Sequence, residues 1–418
     1  MTDVAVVGGG LAGLVAARRL AADGQNVTVF ERRETVGGRV RTRNVDGFTL
    51  DRGFQVVFTA YPAVQRELDL TALDLCSFAP GATLVRPGER STLADPLREP
   101  TSLSASLFNR EVTTLDKLRV LKLRRELAGR SVETALENDA ESIETFLESR
   151  GFSRRFRRNF AAPFYGGITL DRSLSTSRAV FEYTFKMLSE GKTAVPAAGM
   201  GAIPAQLAAA ARDAGATIEL ETPVESVDAD SAGATVETDT ESVSVDAAIV
   251  ATDPPTAKEL TGVTSIPTEA HGCVTQHFAL PTTQHLDTGR RLLLNAENGR
   301  PNTVAPMSTV APAYAPDDRQ LLSATFLGEQ TESDEALAEA VREALASWYP
   351  ENQFGNLELL ATDRVEFAQF AQRPGFRSAL PAVDDPDGAV YLAGDYTRWS
   401  SIQGAMESGH EAARAIEK

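Results

Sequence analysis

The chain has 418 residues, with 58 acidic against 41 basic side chains, a net charge of −17 and 42% hydrophobic residues. This length supplies two or three domains and a sizeable core, and the acidic balance argues against nucleic-acid binding, which favours a basic surface. No apolar run approaches the ~18 residues of a membrane span, four scattered histidines give no metal-ligand spacing, and Cys76 and Cys273 read as reduced core residues.

The opening Met1-Thr2-Asp3 lacks the basic region of a signal peptide, which points to the cytoplasm. Acid-rich, Thr- and Ala-rich composition with six lysines fits a halophilic, salt-loaded cytoplasm, where high charge keeps a protein soluble. Val4–Val7 is an apolar strand running into Gly8, Gly10 and Gly13, spaced as G-x-G-x-x-G, and then into an Ala/Leu-rich helix. Gly8 permits the tight turn, Gly10 lets backbone approach a pyrophosphate, and Gly13 lets helix pack on strand. The helix start at Leu11-Ala12 offers N–H groups to the phosphates. A second strand, Val27–Phe30, ends at Glu31, 18 residues after Gly13, close to the spacing of about 20 expected of a ribose-binding carboxylate. Arg32 follows it. Next come Gly37-Gly38-Arg39, a loop able to fold back with a guanidinium fork for phosphate oxygens, and Leu50-Asp51-Arg52-Gly53-Phe54.

Helices are expected over Thr114–Ala128, Asp139–Ser149 and Ser177–Leu188. Between them, Arg150, Arg154, Arg155, Arg157 and Arg158 interleave with Phe152, Phe156 and Phe160. The favoured reading is a helix with its phenylalanines facing the core; the alternative is peripheral membrane contact through Arg154–Arg158. Val195–Gly201 leads into an alanine-rich helix, then Thr217–Leu220 and Thr222–Val227; Val227–Val245 reads as an exposed hairpin. Ala247–Thr252 is another apolar strand, carrying Ala251. Cys273–Leu280 and Leu321–Leu327 are expected strands, Ala305–Asp318 a proline-rich loop, and Glu335–Trp348 a helix. Val390–Ala393 is a strand ending at Gly394-Asp395, followed by Tyr396, Trp399 and a last helix opening at Ser401-Ile402-Gln403-Gly404-Ala405.

The fingerprint with GGR, the LDRGF segment and the closing Gly-Asp-to-helix motif resemble the FAD-dependent amine oxidase, phytoene desaturase and protoporphyrinogen oxidase superfamily, in its desaturase-like subgroup. The resemblance spans the whole chain. It implies an α/β fold: a Rossmann-type, glutathione-reductase-like FAD-binding domain (1–75, 193–255 and 360–418), interleaved with a substrate domain made of a helical cap (76–192) and an antiparallel sheet (256–359). It implies that the backbone at Val224 holds the adenine, that Asp395 contacts the ribityl-pyrophosphate region, and that the last helix points its N-terminus at the flavin ring. Arg52, Gly53, Phe54, Tyr396 and Trp399 are expected near that ring, and Tyr165 in the substrate pocket. No second fingerprint marks an NAD(P)H site, and no cysteine follows Cys273 for covalent attachment, so the expected cofactor is non-covalent FAD. The expected function is hydride transfer from an apolar, isoprenoid-like substrate, with a quinone or oxygen as acceptor. An amine oxidase, a redox-neutral flavin isomerase and a non-enzymatic prenyl-binding escort stay open. Amine oxidases show an aromatic cage and a lysine near flavin N5; of the six lysines here none stands in a convincing position, with Lys186 left open.

Overall fold

The computed structural model describes residues 2–94, 112–229, 233–284 and 286–417. The longer helices are α1 (Leu11–Ala22), α2 (Thr114–Ala128), α3 (Ala162–Thr169), α4 (Arg178–Glu190), α5 (Ala202–Asp213), α6 (Pro254–Thr261), α7 (Asp334–Trp348) and α8 (Ile402–Ile416).

A five-stranded parallel sheet runs in the order Thr217–Glu219, Asn26–Phe30, Asp3–Val7, Ala247–Val250, Val390–Leu392. Its central strands are apolar along their length because both faces are covered: Val4 to Val7 and Ala247 to Val250 are all buried. Helix α1 packs between α5 and α8. Strands from the beginning, middle and end of the chain thus lie side by side, and their carboxyl ends open on one crevice, where open α/β sheets bind their ligands.

A seven-stranded sheet runs Glu358–Phe370, Ala270–Pro281, Arg319–Leu327, Thr303–Ala305, Leu292–Asn295, Ala82–Arg86, Glu89–Leu93. It corrects the expected antiparallel sheet in three ways. Leu292–Asn295 pairs with Ala82–Arg86 in parallel. The cap segment supplies two of its strands, so residues 76–192 are not helical throughout. Glu358–Phe370 pairs with Ala270–Pro281, so this sheet reaches into the segment expected to be cofactor domain. The alternation of Ala82–Arg86 is short and follows a proline-glycine turn, which hides it among helical signals. On the face away from the cavity, Leu337, Val341, Leu345 and Trp348 of α7 pack on the sheet.

The helix expected from Asp139 begins at Ile143, capped by Ser142, whose hydroxyl accepts from Thr145 N; Asp139 instead accepts from Ser177 Oγ at 2.5 Å and Arg377 N at 3.1 Å. The expected hairpin is a three-stranded meander, Val224–Ala229, Ala234–Thr238 and Ser242–Val245. One face of it is buried through Val227, Ala234 and Val236 rather than exposed. The proline-rich stretch folds into short turns at Met307–Val310 and Pro312–Tyr314. Among the described residues no helix is long and apolar enough to cross a membrane.

Candidate functional site

The glycine turn is shaped by space. A Cβ on Gly13 would stand 2.1 Å from the Gly8 carbonyl oxygen, so α1 closes onto the turn only with glycine there. Gly8 itself has φ +109°. A Cβ on Gly10 would meet nothing within 4 Å, because this Cα faces an open cavity that Gly8, Leu11 and Ala12 also line. Helix α1 starts with no side-chain cap and no acid in its first turn, so it presents N–H groups and partial positive charge to that space. Glu31, 4% exposed, borders the same space. Its carboxylate accepts from Gly9 N at 2.8 Å and Arg33 N at 3.0 Å. Arg32 lines the rim and stands 3.5 Å from Asp253. Val224 and Ala251 line the opposite side, and a register shift between Val224 and Ser226 interrupts the strand ladder there.

The next loop folds back as expected: Gly37 N donates to the Gly9 carbonyl at 2.8 Å, and Gly38 lies against Gly10. Arg39 spends its fork on protein, donating to the Ala368 carbonyl at 3.0 Å and to Asp395 Oδ1 at 2.6 Å. Asp395 also accepts from Ser400 Oγ at 2.8 Å. Gly394, Asp395, Ser401, Ile402 and Ala405 line the cavity, with Ser401 capping α8 through Gly404 N at 2.8 Å.

Three expected site residues point elsewhere. Gln403 accepts from Ala63 N at 2.8 Å. Tyr396 is fully buried, and its hydroxyl donates to the Val250 carbonyl at 3.1 Å. Trp399 packs edge-on against Tyr183 at 4.9 Å. Sequence adjacency to Asp395 suggested the ring; a short 3-10 turn, Asp395–Thr397, turns these side chains into the core instead.

Arg52, Gly53 and Phe54 line the middle of the cavity. The turn is held from below. Asp51 is buried and accepts from Thr42 Oγ1 at 2.5 Å, Met200 N at 2.8 Å and Tyr314 OH at 2.9 Å. Burial raises its pKa despite those donors. Gly53 N approaches Asp363 Oδ2 at 3.4 Å; Asp363 also meets Arg43 at 2.7 Å and His277 Nε2 at 3.2 Å, while His277 Nδ1 lies 2.9 Å from Ser323 Oγ. The sequence carried no signal for this chain, since its members come from four distant strands. Arg33 and Arg52 line the cavity beside Arg41. Burial, together with their neighbouring cations, lowers the pKa of Arg33 and Arg41, and Arg41 Nε is buried with no hydrogen-bond partner. This positive cluster suits an anion.

The cavity measures about 1620 Å³, well above the roughly 300–1,000 Å³ of a single-ligand pocket. Its second arm is walled by Phe152, Phe156, Phe160 and Phe164 at helical i, i+4 spacing, ring centroids 4.6–5.4 Å apart. The favoured sequence reading sends Phe152, Phe156 and Phe160 to a core; they do pack in a core cluster, but they also line the cavity. A π-helical turn at Arg157–Ala161 carries the run, a departure that often marks functional sites. Arg157 pairs with Glu148 at 2.8 Å, and Arg154, Arg155 and Arg158 are exposed. Tyr165 continues the column, 4.6 Å from Phe181; burial pushes its phenol upward, so it stays neutral. Lys186 is buried against Glu190 at 2.5 Å and the Leu127 carbonyl at 3.2 Å, and it does not line the cavity.

Comparison with known proteins agrees. The structure superposes along its whole length on an oxidoreductase from Methanosarcina mazei (TM-score 0.73, 19% identity, 100% of both chains). It does so equally on a putative protoporphyrinogen oxidase from Exiguobacterium sp. 255-15 (TM-score 0.71, 18% identity, 100% of this chain and 98% of that one). Putrescine oxidase bound to putrescine gives a TM-score of 0.71 at 20% identity over 100% and 99% of the two chains. These likenesses show the fold. A short stretch of 66 residues is 52% identical to a 4,4'-diapophytoene desaturase (4,4'-diaponeurosporene-forming) of Staphylococcus haemolyticus, covering 15% of this chain and 13% of that protein. The model of the flavin containing amine oxidoreductases matches residues 11–417, and the chain therefore belongs to this family of flavin-dependent oxidoreductases.

Proposed function

We propose that the protein binds FAD without a covalent link and takes a hydride equivalent from a long, apolar, isoprenoid-like substrate, passing the electrons on to oxygen or a quinone. The residues present fit the cofactor. The Gly10 Cα faces open space, the uncapped α1 start and the Arg33–Arg52 cations suit a diphosphate, and the buried carboxylate of Glu31 borders the same space, as suits a ribose hydroxyl. Flavin, when bound, supplies the hydride-accepting chemistry. The chain's own part is to hold and enclose: the glycine turn and α8 grip the two ends, Gly53 permits close approach from below, and the phenylalanine column excludes water and aligns an apolar chain.

The observation that carries the substrate class is the aromatic second arm. The amine alternative finds less support, since Lys186 is paired away from the cavity and the α8 residues lining it, Ile402 and Ala405, are aliphatic. Purified protein is expected to be yellow, absorbing near ~450 nm, and to release FAD on denaturation. A protein that stays colourless after incubation with FAD contradicts the proposal and favours the escort alternative.

A further inference from the structure

The cavity wall carries two tyrosine hydroxyls that the fold itself does not use. Elsewhere the buried tyrosines are paired: Tyr314 donates to Asp51 Oδ2 at 2.9 Å, Tyr396 to the Val250 carbonyl at 3.1 Å and Tyr349 to the Asp287 carbonyl at 3.4 Å. None of these three lines the cavity. Tyr61 and Tyr165 do line it, at 7% and 3% exposure. Burial raises both phenols, and neither a hydrogen bond nor a neighbouring charge adds to that shift, because no described residue pairs with either hydroxyl. Both therefore stay protonated and able to donate. A buried tyrosine hydroxyl ordinarily finds a partner, since leaving it unpaired forfeits the water it lost. Neither oxygen is sealed inside the protein in the manner of the unpaired Gln276 and Thr288 oxygens; each opens on the space its ring borders.

Both rings are fixed. Tyr61 stands 5.2 Å from Phe58, and Tyr165 stands 4.6 Å from Phe181. Tyr61 directly precedes the short helix Pro62–Glu67, whose Ala63 N donates to Gln403 of α8 at 2.8 Å, and Ile402 beside Gln403 lines the cavity. Tyr165 follows Phe164 on α3, within the aromatic arm. The donors thus serve different stretches of the cavity, one beside the start of α8 and one within the arm. An ionised group among these rings would lose more hydration than one phenol returns. A carbonyl or alcohol oxygen gives up less, and one hydrogen bond offsets it.

We propose that Tyr61 and Tyr165 are specificity-determining donors: the substrate is an isoprenoid-like chain bearing uncharged oxygen, as a carbonyl or an alcohol, and these hydroxyls donate to it. The inference rests on the proposed function for the apolar chain and adds the oxygen to it.

The test is displacement of the hydrocarbon dye diphenylhexatriene from FAD-treated protein by four compounds sharing one C20 polyprenyl chain, ending in a methyl group, an alcohol, a methyl ketone or a carboxylate. The alcohol, the ketone or both should bind at least about five-fold tighter than the hydrocarbon. In Tyr61→Phe/Tyr165→Phe that advantage should vanish while hydrocarbon binding persists, and at least one single variant should lose most of it. The melting temperature of the ligand-free double variant should match or exceed that of the unaltered protein, since no protein group loses a hydrogen bond. A clear fall shows that the fold uses these hydroxyls and overturns the inference. So does an advantage that survives in the double variant, or a carboxylate that binds tighter than alcohol and ketone alike. Equal binding of hydrocarbon, alcohol and ketone to the unaltered protein overturns the donors and leaves the apolar reading standing. Failure of every compound to displace the dye removes the apolar reading and the donors with it.

Discussion

Arg39 Nη2 lies 2.6 Å from Asp395 Oδ1, joining two motifs 356 residues apart in the chain. The other arm of the same guanidinium holds the Ala368 carbonyl on the long strand of the second sheet. One side chain therefore ties the loop after the glycine turn, the start of the closing helix segment and the second sheet to one point of the cavity wall. Asp395 is 3% exposed.

Arg39→Ala is expected to lower stability by about 2 kcal/mol, because a buried carboxylate loses its cation while the partly exposed arginine limits the loss. It should also weaken FAD binding at least ten-fold. Arg39→Lys should rescue only part of either effect, since a single ammonium cannot serve both acceptors. Urea unfolding and FAD titration check this; full rescue by lysine contradicts the fork geometry.

Gly10 and Gly13 should behave differently. Gly10→Val places its side chain in open space, so the apoprotein should keep its melting temperature while losing bound FAD. Gly13→Ala meets backbone at 2.1 Å and should destabilise the fold itself by about 2 kcal/mol or more. Thermal melts with and without FAD separate the two; equal melting losses in both variants would contradict the assignment of Gly10 to the cofactor.

Tyr396→Phe removes a hydroxyl whose acceptor, the Val250 carbonyl, keeps a second donor, Ala393 N at 2.9 Å. The expected cost is about 1 kcal/mol, with the rate of flavin reduction unchanged. A ten-fold slower reduction in this variant would return Tyr396 to the reacting centre.

Asp363 gives the acid limb of stability. Burial pushes its carboxyl up, but the His277 hydrogen bond and Arg43 outweigh that and hold it at about 2, below its ordinary 3.8. A folded-state pKa below the unfolded one means that the stabilisation is present above about pH 4 and lost as pH falls through about 2; it amounts to about 2 kcal/mol. Urea midpoints at pH 5, 3 and 2 should fall more steeply for the unaltered protein than for Asp363→Asn. Parallel slopes would count against this link beneath Gly53.

The strand, glycine turn and helix start at Asp3–Ala22 and the Gly394-Asp395 turn into α8 are legible because each is local: their residues lie within a few positions of one another, and the spacing alone sets the geometry. The phenylalanine spacing was equally visible, but periodicity reports which residues share a face, not whether that face meets a core or a cavity. Tyr396 and Trp399 were misplaced because chain proximity to Asp395 does not determine direction through a 3-10 turn. The Asp363–His277–Ser323 chain depends on long-range pairings between strands, and no local pattern records such partners.

The most direct measurement is anaerobic reduction of the FAD-loaded protein by two sets of compounds, long isoprenoid polyenes and alkylamines, followed near ~450 nm. The account predicts bleaching by at least one polyene and none by the amines. Bleaching by an amine with every polyene inert would contradict it.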